Sequence, residues 1–145
     1  MIRFAKSKGV HVTAEVCPHH FSMTSDDIPR DNPQYKMNPP LRDKTDREAL
    51  VAGIVDGTID MIATDHAPHA AEEKNRSMKD AAFGIVGLET MAALTYTELV
   101  LPGILTPMQM AEKTSYNPAK ILGLTEKGAV QEGKIADLVI FDPKV

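Results

Sequence analysis

The stretch MIATDHAPH, from Met61 to His69, carries an apolar run directly into a polar group. Residues 58–64 are typical of a short buried strand, and Asp65 stands at its end. Charged and polar side chains at a buried strand end are unfavourable unless something pairs with them. The partner is either a metal ion or a reacting substrate, or else an ordinary hydrogen-bond network. The stretch by itself leaves both open.

The rest of the chain repeats the order strand, loop, helix. We predict strands over 10–16, 58–64 and 134–142, and helices over 2–8, 44–57, 87–101, 106–114 and 117–124. In helix 44–57, Thr45 is the predicted cap, and Leu50, Ile54 and Val55 are predicted to face inward. This order indicates an α/β fold with parallel strands, in which ligands bind at the carboxyl ends of the strands.

Composition excludes several classes of function. The 145 residues are 43% hydrophobic and 25% charged, with a net charge of −4, which is typical of one globular domain and not of a nucleic-acid-binding protein. No apolar run of about 18 residues is present, so no membrane span is predicted. The single cysteine, Cys17, excludes a disulfide framework and a multi-cysteine zinc site. We therefore expect a reduced, cytoplasmic protein.

Asp65 is the first candidate for chemistry. Its carboxylate could bind a divalent metal or carry a proton for a metal-activated water, or it could simply cap the following turn. His69, which follows Pro68, is a candidate donor to an anionic group of a substrate. His66 is predicted to bind loop backbone instead.

Further candidates lie in the loops that leave the predicted strands. Asn38 precedes two prolines, which favours a fixed, extended backbone suited to recognising a carbonyl or carboxylate, although Asn-Pro is also common in turns. The pair Phe83-Gly84 precedes a helix, and Gly84 either lets a ligand approach the backbone or serves a turn. Cys17 is expected to be buried and inert, and at most one of His19 and His20 is expected to reach an ion.

Six motifs occur in a fixed order along nearly the whole chain: EVCPHHF, KMNPPLR, MIATDHAPH, FGIVGLET, NPAKILGL and GKIADLVIFDP. Together they resemble the bacterial-type dihydroorotases of the amidohydrolase superfamily. The resemblance implies a distorted (β/α)₈ TIM-like barrel with a small β-sandwich. It also implies reversible cyclisation of N-carbamoyl-L-aspartate to L-dihydroorotate in pyrimidine biosynthesis, with one or two zinc ions.

The resemblance also implies roles for individual residues. Asp65 matches the aspartate after the last barrel strand, which binds zinc and acts as general acid and base. Asn38, His69 and the backbone of Phe83 and Gly84 match substrate-binding positions. The zinc histidines of the family lie on earlier strands, so His19 and His20 are expected not to contact the metal.

This sequence lacks the His-x-His strand, the bridging carboxylate or carboxylated lysine, and the two single histidines of the family. A (β/α)₈ barrel takes about 250 residues, so we expect a C-terminal fragment of one. Residues 1–133 are predicted to be the last barrel strands and helices, and residues 134–145 a strand of the β-sandwich. We expect the isolated chain to be inactive and the whole protein to be a homo-oligomer.

Two alternatives stay open. Hydantoinases and allantoinases share the overall pattern, but they usually carry Tyr where His20 stands and lack the second histidine of DHAPH. A non-catalytic homologue that kept the scaffold and lost the metal site is the other.

Overall fold

A computed structural model describes residues 1–143, so Lys144 and Val145, at the end of the predicted strand segment, lie outside the described residues. The elements, in chain order, are α1 (Ile2–Ser7), β1 (Glu15–Val16), α2 (Pro18–Ser22), α3 (Lys44–Val55), β2 (Met61–Ile62), α4 (Ala71–Lys74), α5 (Met91–Thr95), α6 (Pro107–Ala111) and α7 (Asn117–Ile121). Single 3₁₀ turns occupy Ser25–Asp27 and Pro33–Tyr35, and π-helical turns occupy Tyr96–Val100 and Glu112–Tyr116.

The two strands pair in parallel, as the sequence predicts, with Glu15 opposite Met61 and Val16 opposite Ile62. Each regular strand is only two residues long, so the predicted strands 10–16 and 58–64 are too long. Among the described residues each strand has one neighbour. A regular strand extends only as far as the backbone hydrogen bonds to its neighbouring strand. Both carboxyl ends nevertheless meet at the same edge, which brings the segments after Val16 and Ile62 together.

The core lies between the two strands and the helices that follow them. Its buried apolar residues are Val16, Phe21, Ile54, Ile59, Ile62, Leu99 and Leu105. Helix α3 packs its buried Ile54 into this cluster, with Leu50 alongside, whereas Val55 is 56% exposed, so its predicted inward orientation is wrong. The helix begins at Lys44, as predicted, but its cap is Asp43, whose side chain accepts a hydrogen bond from the Asp46 N–H, so the prediction of Thr45 as the cap is wrong.

Helix α1 is tied to the start of β2 by charge. The Lys6 ammonium lies 2.7 Å from the Asp60 carboxylate, and Arg3 pairs with Asp56 at 2.6 Å. Asp60 also accepts a hydrogen bond from the Ala14 N–H, just before β1. These contacts fix α1 against the amino-terminal side of the strand pair, on the opposite side from the candidate residues.

Several helical segments differ from prediction. Helices α2 and α4 both lie outside the predicted helices. The helix predicted over 87–101 begins at Met91. The two helices predicted over 106–114 and 117–124 are one continuous helical run, in which a π-helical turn precedes Pro118. Proline has no N–H to donate to the preceding turn, and a local change in hydrogen-bond pattern accommodates it.

No strand forms over residues 134–142, which the structure describes in full. The Ile135 N–H bonds to the Glu126 carbonyl, and Asp137 pairs with Lys127, so the segment is held by a local turn and lacks a partner strand. The predicted strand is therefore wrong for the chain in this structure, because an extended segment without a neighbour has no ladder to join. Its assignment to a β-sandwich stays a prediction.

Candidate active site

Asp65 follows β2 by three residues and is exposed at the carboxyl edge of the strand pair. Its backbone has a φ of 48°, in the left-handed region that Asp adopts more readily than most residues. Within residues 1–143 its carboxylate makes no hydrogen bond or ion pair, so it does not cap the following turn. It instead presents two free acceptor oxygens, which is the state required of a metal ligand or a proton carrier.

Cys17, His19 and His20 lie at the neighbouring strand end. Their ligand atoms all lie within 4.8 Å of one another, so both histidines and the thiol could reach one ion. The expectation that only one histidine could do so is wrong, because residues 18–22 are helical. In an extended segment, adjacent side chains point to opposite faces. In a helical turn, residues three apart, such as Cys17 and His20, lie on the same side.

Burial and nearby charge control the protonation of this group. Burial, with the Asp65 and Glu15 carboxylates nearby, raises the pKa of the Cys17 thiol to about 11. Burial and the neighbouring His20 lower the pKa of His19 to about 4, against the opposing effect of Asp65. His19 is 4% exposed, and its Nε2 atom has no partner among the described residues. A neutral imidazole with a free nitrogen is a potential metal ligand.

His20 connects this group to the loop that carries Asn38. Its Nε2 donates to the Pro39 carbonyl oxygen at 2.9 Å, immediately after Asn38. Asn38 itself is exposed, and no hydrogen bond holds its side chain within the described part of the chain. Its amide is therefore available to a ligand, while the adjacent backbone is fixed by His20.

The two histidines of DHAPH have different environments. The Nδ1 atom of His66 accepts hydrogen bonds from the Gly87 N–H at 3.1 Å and the Leu88 N–H at 3.3 Å, so His66 binds loop backbone as predicted. The Nε2–H of His69 donates to the Phe83 carbonyl oxygen at 2.8 Å, and its Nδ1 lies 3.4 Å from the Glu73 carboxylate. His69 is thus oriented between α4 and the Phe83 segment.

Gly84 is required where it stands. A Cβ atom there would lie 2.4 Å from the Ala67 carbonyl oxygen and 2.9 Å from the His69 ring, and the φ of 155° is unfavourable for other residues. Its N–H already donates to the Lys36 carbonyl oxygen at 3.0 Å. The Phe83 N–H, in contrast, has no acceptor among residues 1–143, so it is the backbone donor of this pair that a ligand would meet.

A cavity of about 350 Å³ adjoins His69 and Gly84. Its walls are formed by Met23, Gln34, Tyr35, Ala67, Pro68, His69, Lys74, Gly84, Ile85 and Val86. Asp65 and Asn38 are not among these residues. The structure therefore brings His69 and Gly84 together around one cavity and leaves Asp65, Asn38 and Phe83 outside its walls.

Sequence reasoning missed Lys74, which is buried at the end of α4 and bonded to three carbonyl groups. Lys74 lies outside the predicted helices and strands, and a lysine in such a segment is ordinarily solvated. The signal that could have indicated a helix is the acidic pair Glu72 and Glu73 just before it, which is typical of a first helical turn.

The profile of the amidohydrolase family matches residues 1–145, and the chain belongs to that family. Members of this family are generally metal-dependent, and the thiol, imidazole and carboxylate groups at the ends of β1 and β2 are donors of the kind that bind such an ion. The parallel strand pair with intervening helices is consistent with part of a TIM-type barrel.

Two groups of relatives stand out within the family. The chain is 52% identical over 143 residues to a dihydroorotase from Lactobacillus acidophilus and 54% identical over 142 residues to one from Bacillus cereus. These matches cover 98% of this chain but 34% and 33% of the relatives, so the chain spans about a third of their length.

Among solved structures, the chain resembles a D-hydantoinase (dihydropyrimidinase) from Thermus sp., with a TM-score of 0.91 and 32% identity over 99% of this chain and 33% of that one. An L-hydantoinase from Arthrobacter aurescens gives a TM-score of 0.87 and 34% identity, covering 93% and 31%. No helix of the described chain is long and apolar enough to cross a membrane.

Proposed function

We propose that the protein containing this chain is a dihydroorotase, which interconverts N-carbamoyl-L-aspartate and L-dihydroorotate in pyrimidine biosynthesis. The observation that supports this most directly is the identity of 51–54% to several curated dihydroorotases over almost the whole chain. The presence of His20 and His69, where the resemblance leads us to expect differences in hydantoinases and allantoinases, supports it further. A single buried free cysteine agrees with a cytoplasmic location.

In this proposal Asp65 binds zinc and moves the proton. A bound zinc ion would polarise the amide carbonyl and acidify the attacking water. Asp65 accepts the proton of that water as the C–O bond forms, and delivers it to the ring nitrogen as the C–N bond breaks. The exposed carboxylate supports this role, because no group within residues 1–143 competes for its two oxygens.

The substrate is held by Asn38, His69 and the Phe83–Gly84 backbone. The Asn38 amide and the Phe83 N–H are free to bind its carboxylate and ring edge, whereas the Gly84 N–H is already bonded to Lys36. His69 fixes the Phe83 peptide through its Nε2–H and lines the cavity beside it. These donors suit a ring that carries a carboxylate and amide carbonyl groups.

The runner-up is a hydantoinase, which the likeness to hydantoinase structures favours. The test is to purify the whole protein with zinc and compare hydrolysis of dihydroorotate, hydantoin, dihydrouracil and allantoin. We expect kcat/KM for dihydroorotate to exceed the others by at least about a hundredfold. Faster hydrolysis of hydantoin or dihydrouracil would identify the protein as a hydantoinase. The absence of hydrolysis of all four substrates would favour a non-catalytic homologue.

Two controls locate the metal and the activity. The 145-residue chain with added zinc should give no turnover above a metal-only blank, since it spans about a third of the relatives. In the whole protein, Asp65→Ala should lower the bound zinc measured by elemental analysis, and Cys17→Ser should retain it. The reverse result would move the ion to the Cys17, His19 and His20 group.

A further inference from the structure

Lys74 is a buried cation without a counter-ion among the described residues. Its side chain is 6% exposed, and its Nζ donates to the carbonyl oxygens of Gly84 at 2.9 Å, Lys36 at 3.0 Å and Ala82 at 3.2 Å. An ammonium group has three N–H donors, so these contacts use all of them. Burying a charge is unfavourable unless it is fully hydrogen-bonded, which explains why three carbonyls converge on it.

The three carbonyls belong to two separate segments of the candidate site. Lys36 lies two residues before Asn38, while Ala82 and Gly84 stand on either side of Phe83. The Lys36 carbonyl also accepts from the Gly84 N–H at 3.0 Å, so one oxygen receives both the backbone and the lysine donor. Lys74 therefore fixes the distance between the Asn38 segment and the Phe83–Gly84 segment.

Helix α4 connects this arrangement to His69. The Glu73 carboxylate accepts from the Ala70 N–H at 3.0 Å and lies 3.4 Å from His69 Nδ1. Lys74 is the next residue. Helix α4 therefore orients His69 through the Glu73 side chain and both substrate-binding segments through the Lys74 side chain. Because all three of its donors are occupied, Lys74 has none left for a substrate.

We propose that Lys74 is a positioning residue, which sets substrate affinity by holding the Asn38 segment against the Phe83–Gly84 segment without donating a hydrogen bond to the substrate. This rests on the proposed function only in its choice of substrate. The separation of the two segments is a property of the protein itself and can be measured without any substrate.

The test compares Lys74→Met with Lys113→Met in the whole protein. Methionine keeps most of the length and apolar surface of lysine but has no N–H donor. Lys113 is the matched control, because it is also buried, at 9% exposure, and donates to the Ile59 carbonyl oxygen at 2.6 Å, in the core and not beside the cavity. We expect Lys74→Met to raise KM about tenfold or more with kcat within about threefold, and Lys113→Met to leave KM unchanged.

Hydrogen exchange gives a readout that does not depend on activity. Peptides covering 36–38 and 82–86 should exchange at least about tenfold faster in Lys74→Met and at the original rate in Lys113→Met. Unchanged exchange in these peptides, an unchanged KM, or equal changes in both variants would overturn the proposal. If Lys74→Met does not fold, Lys74→Gln, which keeps one donor group, is judged by the same two measurements. If the original protein does not act on dihydroorotate, the proposed function fails while the exchange result still decides the role of Lys74.

Discussion

Asp65 combines an exposed carboxylate with a left-handed backbone. Its proton-carrying group can therefore be removed by a substitution that leaves the backbone conformation unchanged. Asparagine tolerates the same backbone conformation and keeps the side-chain shape, but it cannot carry a proton at neutral pH. We predict that Asp65→Asn in the whole protein abolishes turnover and leaves substrate binding largely intact. Steady-state kinetics and calorimetric titration with dihydroorotate check the two parts. Near-normal turnover would mean that the proton moves by another route.

His69 and Asn38 are predicted to act on binding more than on chemistry. Loss of a hydrogen bond to a charged group weakens binding by about 1.5–3 kcal/mol, or roughly ten- to a hundredfold, so Asn38→Ala should raise KM by that factor. His69→Ala should also raise KM, because it removes the bond that fixes the Phe83 carbonyl oxygen beside the cavity. His11→Ala is the control, since His11 is exposed and lies before β1. Variants that bind substrate normally but lose zinc would show that these residues hold the metal instead.

At the scale of elements, the contact between α1 and β2 makes a pH-dependent contribution to stability. Burial alone would raise the pKa of Asp60, but Lys6 and the Ala14 N–H outweigh it and lower that pKa below its ordinary value. A carboxylate with a lowered pKa stabilises the fold above its unfolded pKa and loses that contribution as the pH falls further. The loss therefore begins below about pH 4.

We predict that Asp60→Asn reduces the free energy of unfolding at pH 7 and flattens its decline below pH 4. Urea unfolding of the whole protein and of the variant at pH 7, 4 and 3 measures this. Asp26→Asn is the control, because Asp26 is exposed in the 3₁₀ turn Ser25–Asp27 and makes no ion pair within residues 1–143. An identical pH profile for Asp60→Asn and the original protein would contradict the prediction.

The sequence permitted the prediction of the elements that periodicity and strong end signals define. Helix α3 has an apolar repeat and a clear C-terminal glycine, and the parallel pairing of β1 with β2 follows from the strand–helix–strand order. Helix α2 was missed, although Pro18 occupies a favoured first helical position, because five residues carry too little periodicity to separate a helix from a loop.

The candidate site was predicted less completely than the fold. Asp65, His66 and His69 carry their chemistry in their side chains, so a sequence motif reveals them. The role of Lys74 depends on carbonyl groups, which every residue possesses, and only the folded backbone shows that three of them converge. The same holds for Cys17, His19 and His20, whose proximity depends on a helical turn.

For the whole molecule, we predict that the 145-residue chain associates with itself. Many large apolar side chains are exposed, among them Leu88, Leu101, Met108, Leu122, Val139 and Ile140. Within residues 1–143 each strand also has one unpaired edge, and such edges and apolar patches join other chains readily. Light scattering with size exclusion at low micromolar concentration checks this. A single compact species of 15.8 kDa, the mass of one chain, with a cooperative unfolding transition would contradict the prediction.

The raised pKa of Cys17 gives the protein a built-in reporter. The 145-residue chain has one thiol. In the folded structure this thiol is buried, and its raised pKa keeps it protonated at neutral pH. Only the thiolate reacts with disulfide reagents. Cys17 is therefore expected to react only in conformations in which α2 has separated from the core. The rate of colour release from an aromatic disulfide reagent therefore rises with the fraction of molecules in which Cys17 is open to solvent, and the measurement needs no label introduced beforehand.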